Sequence, residues 1–523
     1  MLSALRDRLR ALSRRPGGRD PAARLFVKES YVARKDPEYF EDVTADELGV
    51  VHQPDIYPFA AHLARLYGCS HVIDIGCGRA EKLAPLSDEF RLVGVDYGSN
   101  IAEVRQRFPF GDWIEWDLER KAPIPLPAES VGGAIVCADV IEHLRDPRPL
   151  LRNLRRLLED APFALLSTPE RDITRGDDHR GPPDNPHHVR EWNLAELEQL
   201  LEWAGFRIPF IGLTASHDDG YPKATILALL ESPTGPVPVR RTAPDPFRVV
   251  ALMPVYNEAD VIEQSIAALA ADGIGVYVID NWSTDATQSI VEALVGRGVV
   301  GVERFPPTGP APHYQWKSIL LRMEELSESL DADWFIHVDP DERRRSPWPN
   351  VGLRDAMYFV DQNGFNCIDH TVLNFHPVEE LPEDCEGDVE FQLRFFEFGQ
   401  HPAHFLELKA WKKLGVRPAR ADSGGHDTEF PGRRIYPFKF LLKHYPIRSQ
   451  AHGERKVFGE RIARFDPEER AVGWHSHYDD IDRQHQFVRD PDELVEYSAK
   501  RFNREYLVER LSGIGIIRTR DAG

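Results

Sequence analysis

His71-Val-Ile-Asp-Ile-Gly-Cys-Gly-Arg-Ala80 is the stretch on which the first half of the chain turns. It reads as a buried, β-branched strand that ends in a glycine turn. Gly76 and Gly78 let the backbone approach a ligand closely, and a helix starting just beyond would aim its N–H groups at that ligand. A second strand, Arg91-Leu-Val-Gly-Val-Asp96, carries Asp96 at its tip. A carboxylate there, about 20 residues after the first strand, can accept both ribose hydroxyls of an adenosine ligand.

Outward from these two strands the pattern alternates. Strands are predicted near 71–75, 91–95, 112–116, 132–137, 162–167, 206–212 and 224–230, with helices such as 147–159 and 194–204 between them. That alternation predicts a parallel α/β sheet. A dinucleotide fingerprint would need a third glycine where this chain has Glu81. Asp74, just before the turn, would repel a pyrophosphate but could meet a cationic ammonium.

With Trp116-Asp117-Leu118, Val136-Cys-Ala-Asp-Val-Ile-Glu-His-Leu-Arg-Asp-Pro147 and Ala204-Gly205-Phe206, residues 50–230 resemble class I S-adenosylmethionine (SAM) methyltransferases. The resemblance implies a Rossmann-like, seven-stranded domain that binds SAM through Asp74, Gly76, Gly78, Asp96, Asp117 and Asp139. Methyl transfer then needs alignment and a base for a hydroxyl acceptor. His143 and His188 are the foremost candidate bases, with His179 and His187 beside them in or near a polar loop over 171–192. Asp139-x-x-Glu142-His143 is also similar to the E-x-x-E-H metal site of ubiquinone-pathway O-methyltransferases, with Asp in place of the first Glu. Packing at a helix start is the plainer role for that segment.

The second half repeats the alternation. Strands are predicted near 247–253, 274–280, 299–304 and 333–338, helices near 258–271, 285–296 and 314–329, and a β-rich, irregular stretch after 364. Met253-Pro-Val-Tyr-Asn-Glu258 brings Pro254, Tyr256 and Glu258 to a strand end, where Tyr256 can stack on a base. Asp280 and Asn281 end the next strand, and Asp285 suits a helix cap. Asp339 and Asp341 follow the fourth strand, and two such carboxylates can share a divalent ion with a diphosphate.

Together these residues resemble family 2 glycosyltransferases of the GT-A fold over 247–460. The resemblance implies a nucleotide-sugar donor, Asp339 toward its ribose, Asp341 on Mg2+ or Mn2+, and His444 as a late metal ligand, with His426 its rival. Arg448, Arg455 and Lys456 could meet the diphosphate. The family more often has Asp and Gly where this chain has Asn281 and Trp282. Inversion requires a base on the acceptor hydroxyl; Glu390 is the first candidate, ahead of Asp388, Asp369, Asp422 and Asp427.

The whole chain has 523 residues, 42% of them hydrophobic, and a formal charge of −21. That suits globular domains and argues against nonspecific nucleic-acid binding. Cys69, Cys77, Cys137, Cys367 and Cys385 form no C-x-x-C pair, as in a reduced, cytoplasmic protein. No stretch is long and apolar enough to span a bilayer. The basic, leucine-spaced start at Met1–Leu12 suits a helix docked on protein, or contact with the inner membrane surface. The expected division is an amphipathic extension (1–45), a methyltransferase domain (46–232), a Pro-rich linker (233–246), a GT-A domain (247–460) and a helical extension (461–523).

The function expected is a bifunctional transferase. One half moves a glycosyl unit, and the other methylates an oxygen of a sugar, glycan or glycolipid. The acceptor class extends to small molecules, and the oligomeric state is open. The alternative is that one half only binds its ligand as a scaffold or sensor. A nucleotidyltransferase would need a basic, glycine-rich triphosphate loop, which 253–258 lacks.

Overall fold

The structure is a computed structural model. It describes residues 25–38, 52–217, 223–232, 242–347, 351–380, 387–399, 406–471, 473–474, 478, 481–506 and 509. The expected amphipathic start and most of the Pro-rich linker lie outside these residues. The chain divides into two compact units, Met1–Gly235 and Pro236–Gly523. Both are α/β.

In the first unit β1 (His71–Ile75), β2 (Arg91–Asp96), β3 (Asp112–Glu115), β4 (Ala134–Ala138), β5 (Ala164–Pro169), β6 (Arg207–Thr214) and β7 (Thr225–Glu231) form one sheet. Its order is β3-β2-β1-β4-β5-β7-β6. Strands β1 to β5 pair in parallel and β7 lies antiparallel between β5 and β6. All five residues of β1, Asp74 among them, are buried, as suits a parallel strand covered on both faces. The order reverses between β1 and β4, and such a reversal opens a crevice at the carboxyl ends of the strands.

Helices α1 (Ile56–Leu66), α2 (Ser99–Arg107), α3 (Arg148–Leu157), α4 (Arg171–Arg175) and α5 (Leu194–Trp203) cover the sheet. Asn193 starts α5 with a capping box completed by Glu196. Glu196 does more than cap. Its oxygens take the fork of the fully buried Arg171 at 2.6 and 2.9 Å, a geometry that suits a planar guanidinium.

In the second unit β8 (Val249–Val255), β9 (Gly275–Asp280), β10 (Val299–Arg304) and β11 (Trp334–His337) are parallel neighbours. With β13 (Cys367–Ile368) and β16 (Ala410–Lys412) they give the order β10-β9-β8-β11-β16-β13. Here the reversal falls between β8 and β11. A second sheet runs β12-β17-β14-β15-β18, from β12 (Glu342–Arg345), β14 (His370–His376), β15 (Phe395–Phe398), β17 (Phe440–His444) and β18 (Val495–Glu496).

The late stretch departs from the helical expectation for 461–523. Short helices at Pro467–Ala471 and Ala499–Glu505 flank β18, which pairs with β15. Val495, Tyr497 and Phe502 pack on the Phe375–Phe396–Tyr445 cluster, so burial of alternate apolar residues draws this segment into the sheet. Among the described residues no helix is long and apolar enough to cross a membrane. Cys69, Cys77, Cys137 and Cys367 are free thiols.

Glu196→Ala would leave the Arg171 guanidinium buried without its fork. We expect a loss of about 3–5 kcal/mol in the unfolding transition of the first unit, measured by urea titration.

Candidate functional site

In the first unit the candidate residues gather at the ends of β1, β2 and β4. Gly76 and Gly78 have φ of +87° and +51°. A Cβ on Gly76 would stand 2.3 Å from Val140 Cγ2, so the turn has no room for a side chain. The N–H groups of Gly76 and Cys77 both donate to the Val95 carbonyl, and Gly78 N–H donates to Asp96 Oδ2 at 2.7 Å. The second-strand carboxylate therefore clasps the glycine turn. Asp74 is buried in β1 and accepts the Tyr57 hydroxyl at 2.8 Å. Asp117 is exposed and holds its own turn through Glu119 N–H at 2.9 Å. Asp139, just past β4, has φ +51°. Burial pushes its carboxyl up to about 6, against the pull of Lys82.

The histidines meet across this crevice. The rings of His143 and His188 pack edge to face, 4.8 Å apart. His143 Nδ1 donates to the His187 carbonyl at 3.1 Å, and burial lowers its pKa to about 4, so it is neutral at pH 7. His188 Nδ1 donates to Glu191 at 2.6 Å. Burial opposes ionisation of Glu191, but His188 and Arg175 outweigh it and bring its pKa to about 2. Glu191 thus orients His188, while Asn185 Nδ2 reaches its Nε2 at 3.0 Å. Glu142, pushed well above the usual range by burial and by Asp139, takes the Thr168 hydroxyl at 2.8 Å. One ligand atom each of Glu142, His143 and His188 lies within 4.8 Å of the others. His179 stays apart, edge-on to Tyr31.

In the second unit a cavity of about 750 Å³ opens at the ends of β8 and β11. Pro254, Tyr256, Glu258, Asn281, Asp339, Asp341 and His444 all line it. Arg464 lies 3.6 Å over the Tyr256 ring and donates to Asn281 Oδ1 at 2.8 Å. Asp339 faces His337 at 3.3 Å and Lys409 at 3.6 Å. Asp341 Oδ1 and His444 Nε2 are 3.8 Å apart, within reach of one ion with ligands at about 2.1 Å. A carbonyl oxygen can only accept, so Asn374 Oδ1 takes the His444 Nδ1–H at 3.0 Å and leaves Nε2 toward Asp341. Lys456 Nζ bridges Asp341 (2.8 Å) and Glu258 (3.0 Å). Burial opposes ionisation of Asp341, yet Lys456 and His444 hold its carboxyl well below the usual range.

Several other expected residues are not among those lining this cavity. Asp280 is buried, accepts Ser283 N–H at 3.0 Å and faces Arg304. Arg448 pairs with Glu258 and Asp260. Glu390 is gripped by Arg345 and Lys443. Asp388 caps the turn before it, Asp369 pairs with the buried Lys439, and Asp422 and Asp427 meet Lys317 and Arg433. His426 lines the cavity and is held by Glu407 at 2.7 Å. Sequence reasoning missed Lys409, Arg461, Arg464, Asn374, His376 and Glu397. Each reaches the site from a distant segment and carries no local motif.

Residues 10–209 match the family model described as a methyltransferase domain, and residues 250–306 match that of glycosyl transferase family 2. One chain thus carries a match to each of these two family models, one in each compact unit. A probable S-adenosylmethionine-dependent methyltransferase of Mycolicibacterium smegmatis is 40% identical over 139 residues, 26% of this chain and 52% of that protein. A similarly described protein of Mycobacterium tuberculosis is 37% identical over 139 residues, 26% of this chain and 48% of its own length. The chain thus spans about half the length of the curated relatives it matches. Among solved structures, the methyltransferase domain of bacterial CtHen1 aligns at 20% identity over 34% of this chain and 98% of that one, with a TM-score of 0.25.

Asp139 gives a pH test on the ligand-free protein. The folded chain keeps this proton to about pH 6, whereas an unfolded aspartate loses it near 4. The folded state binds more protons in between, so stability falls as pH rises through that window. Asp139→Asn should flatten that part of the fall in urea midpoints between pH 4 and 7.

Proposed function

We propose that the chain is a bifunctional transferase. The glycosyl transferase domain moves a sugar from a nucleotide-sugar to an acceptor hydroxyl with inversion, aided by Mg2+ or Mn2+. The methyltransferase domain moves the methyl group of SAM to an oxygen of a sugar, glycan or glycolipid. The observation that carries the first activity is the single cavity holding Tyr256 and Asn281 together with Asp339, Asp341 and His444. It offers an aromatic face for a base and a carboxylate–imidazole pair for a cation. The cation, when bound, would neutralise the departing diphosphate. Lys456 and Arg461, which also line the cavity, can meet the phosphate oxygens.

For methyl transfer, the Gly76–Gly78 turn clasped by Asp96 supports a SAM adenosine site, and the curated relatives described as SAM-dependent agree with that reading. Asp96 Oδ1 and Oδ2 already take backbone N–H groups, which fixes the carboxylate for ribose hydroxyls. His188, oriented by Glu191, is the candidate to receive the acceptor proton.

Calorimetry on the full chain tests both halves. SAM should bind without metal, and Gly76→Ala should weaken it at least about tenfold, because the new methyl group overlaps Val140. UDP or GDP should bind more tightly with Mn2+ than without. Asp341→Asn should remove that Mn2+-dependent gain and leave SAM binding unchanged. Equal nucleotide affinity of the variant and the wild type with Mn2+ would refute the cation assignment. Mass spectrometry of products from mixed nucleotide-sugars, SAM and sugar acceptors then reads which groups move.

A further inference from the structure

The five-stranded sheet turns one face to a core and the other to the cavity. Leu373 and Phe375 of β14, Phe396 of β15 and Leu441 of β17 share one apolar cluster. The alternate residues Asn374, His376, Glu397 and His444 line the cavity, as the period of two requires. The register sets His444 opposite Asn374, and Asn374 opposite Glu397. The three side chains therefore form a row across adjacent strands, with Glu397 two strand spacings, about 10 Å, from His444.

The described acids lining the cavity are Glu258, Asp339, Asp341 and Glu397. Glu258 and Asp341 share Lys456, and Asp339 lies between His337 and Lys409. Glu397 stands away from these groups. Its Oε1 accepts from His376 Nε2 at 3.1 Å, and an Arg489 nitrogen lies 3.8 Å from the same atom. Its Oε2 has no hydrogen-bond or ion-pair partner among the described residues. The carboxylate is thus pinned at one oxygen and open at the other.

We propose that Glu397 is the base that takes the proton of the incoming acceptor hydroxyl, and that His376 positions it. This rests on the glycosyl-transfer reading above. In the step, the acceptor oxygen bonds to the anomeric carbon and its proton passes to Glu397 Oε2. The bond from that carbon to the diphosphate oxygen breaks, and its electron pair leaves with the nucleoside diphosphate. Inversion needs the base on the side of the sugar opposite the leaving group. The separation of about 10 Å between His444 and Glu397 leaves room for a sugar between the proposed cation pair and the base. The hydrogen bond from His376 holds the Glu397 carboxyl below its ordinary range, so it is ionised at neutral pH.

The test uses the full chain, Mn2+ and a panel of UDP-, GDP- and dTDP-sugars, with water and simple methyl glycosides as acceptors. Nucleoside diphosphate release gives turnover, and calorimetry with the nucleoside diphosphate gives binding. Glu397→Gln should bind nucleotide within about twofold of wild type but turn over at least about 100-fold more slowly. Glu397→Asp should retain part of the rate. His376→Ala should lower kcat about tenfold with KM unchanged and move the acid limb of the pH–rate profile upward, a shift that a purely structural role would not produce. The first-formed sugar should show the inverted anomer by NMR. Turnover of Glu397→Gln within threefold of wild type, or loss of nucleotide binding in that variant, overturns the base assignment while leaving glycosyl transfer standing. A wild type that binds no nucleotide and releases no diphosphate overturns the underlying reading and this proposal with it.

Discussion

A parallel strand delivers its last residue to one edge of its sheet, and where strand order reverses, the crossovers on either side leave that edge open. Both units are organised by this constraint. In the first, the reversal between β1 and β4 leaves Gly76, Gly78 and Asp139 beside one crevice, with Asp96 arriving from the neighbouring β2. In the second, the reversal between β8 and β11 does the same for Tyr256 and Asp339. The buried strands supply rigidity, and the open edge gathers a glycine turn and strand-tip carboxylates in one place. The same architectural solution recurs in both units because such a crevice is built from strand tips alone.

The elements bearing these tips were legible because each is local. A buried β-branched run, a glycine turn and an acidic strand end all lie within a few residues, and β1, β2, β8, β9 and β11 fall within about two residues of expectation. What was hidden depends on distance along the chain. The row His444–Asn374–Glu397 joins three strands from widely separated segments, and only sheet register makes them neighbours. Glu390 is the first base candidate in the sequence, yet two cations consume it. The stretch after residue 461 is expected to be helical, but Val495 and Glu496 pair with β15, and Val495 and Phe502 pack on its cluster. Phe465, Ile481, His485 and Phe487 then help wall the cavity, so the expected boundary at 460 does not mark off a separate piece.

The two histidine arrangements also contrast instructively. His188 and His376 each donate to a buried or half-buried glutamate, but the electrostatics differ. Glu191 meets Arg175 at both oxygens and serves to orient. Glu397 has its cationic neighbours at one oxygen only, which leaves the carboxylate itself available for chemistry. The same residue pair therefore has opposite polarity of action, set by where the nearby guanidinium lies.

Lys456 gives the cavity of the second unit an internal counter-ion. Its ammonium already compensates Asp341 and Glu258, so a bare divalent ion entering the site would have to evict one positive charge to install another. An ion arriving already chelated by a diphosphate brings the anionic oxygens that a displaced ammonium can turn to. On the proposed reading, the site is built for ion exchange in company with the nucleotide rather than for holding a cation at rest, which favours joint loading of donor and metal over stepwise loading.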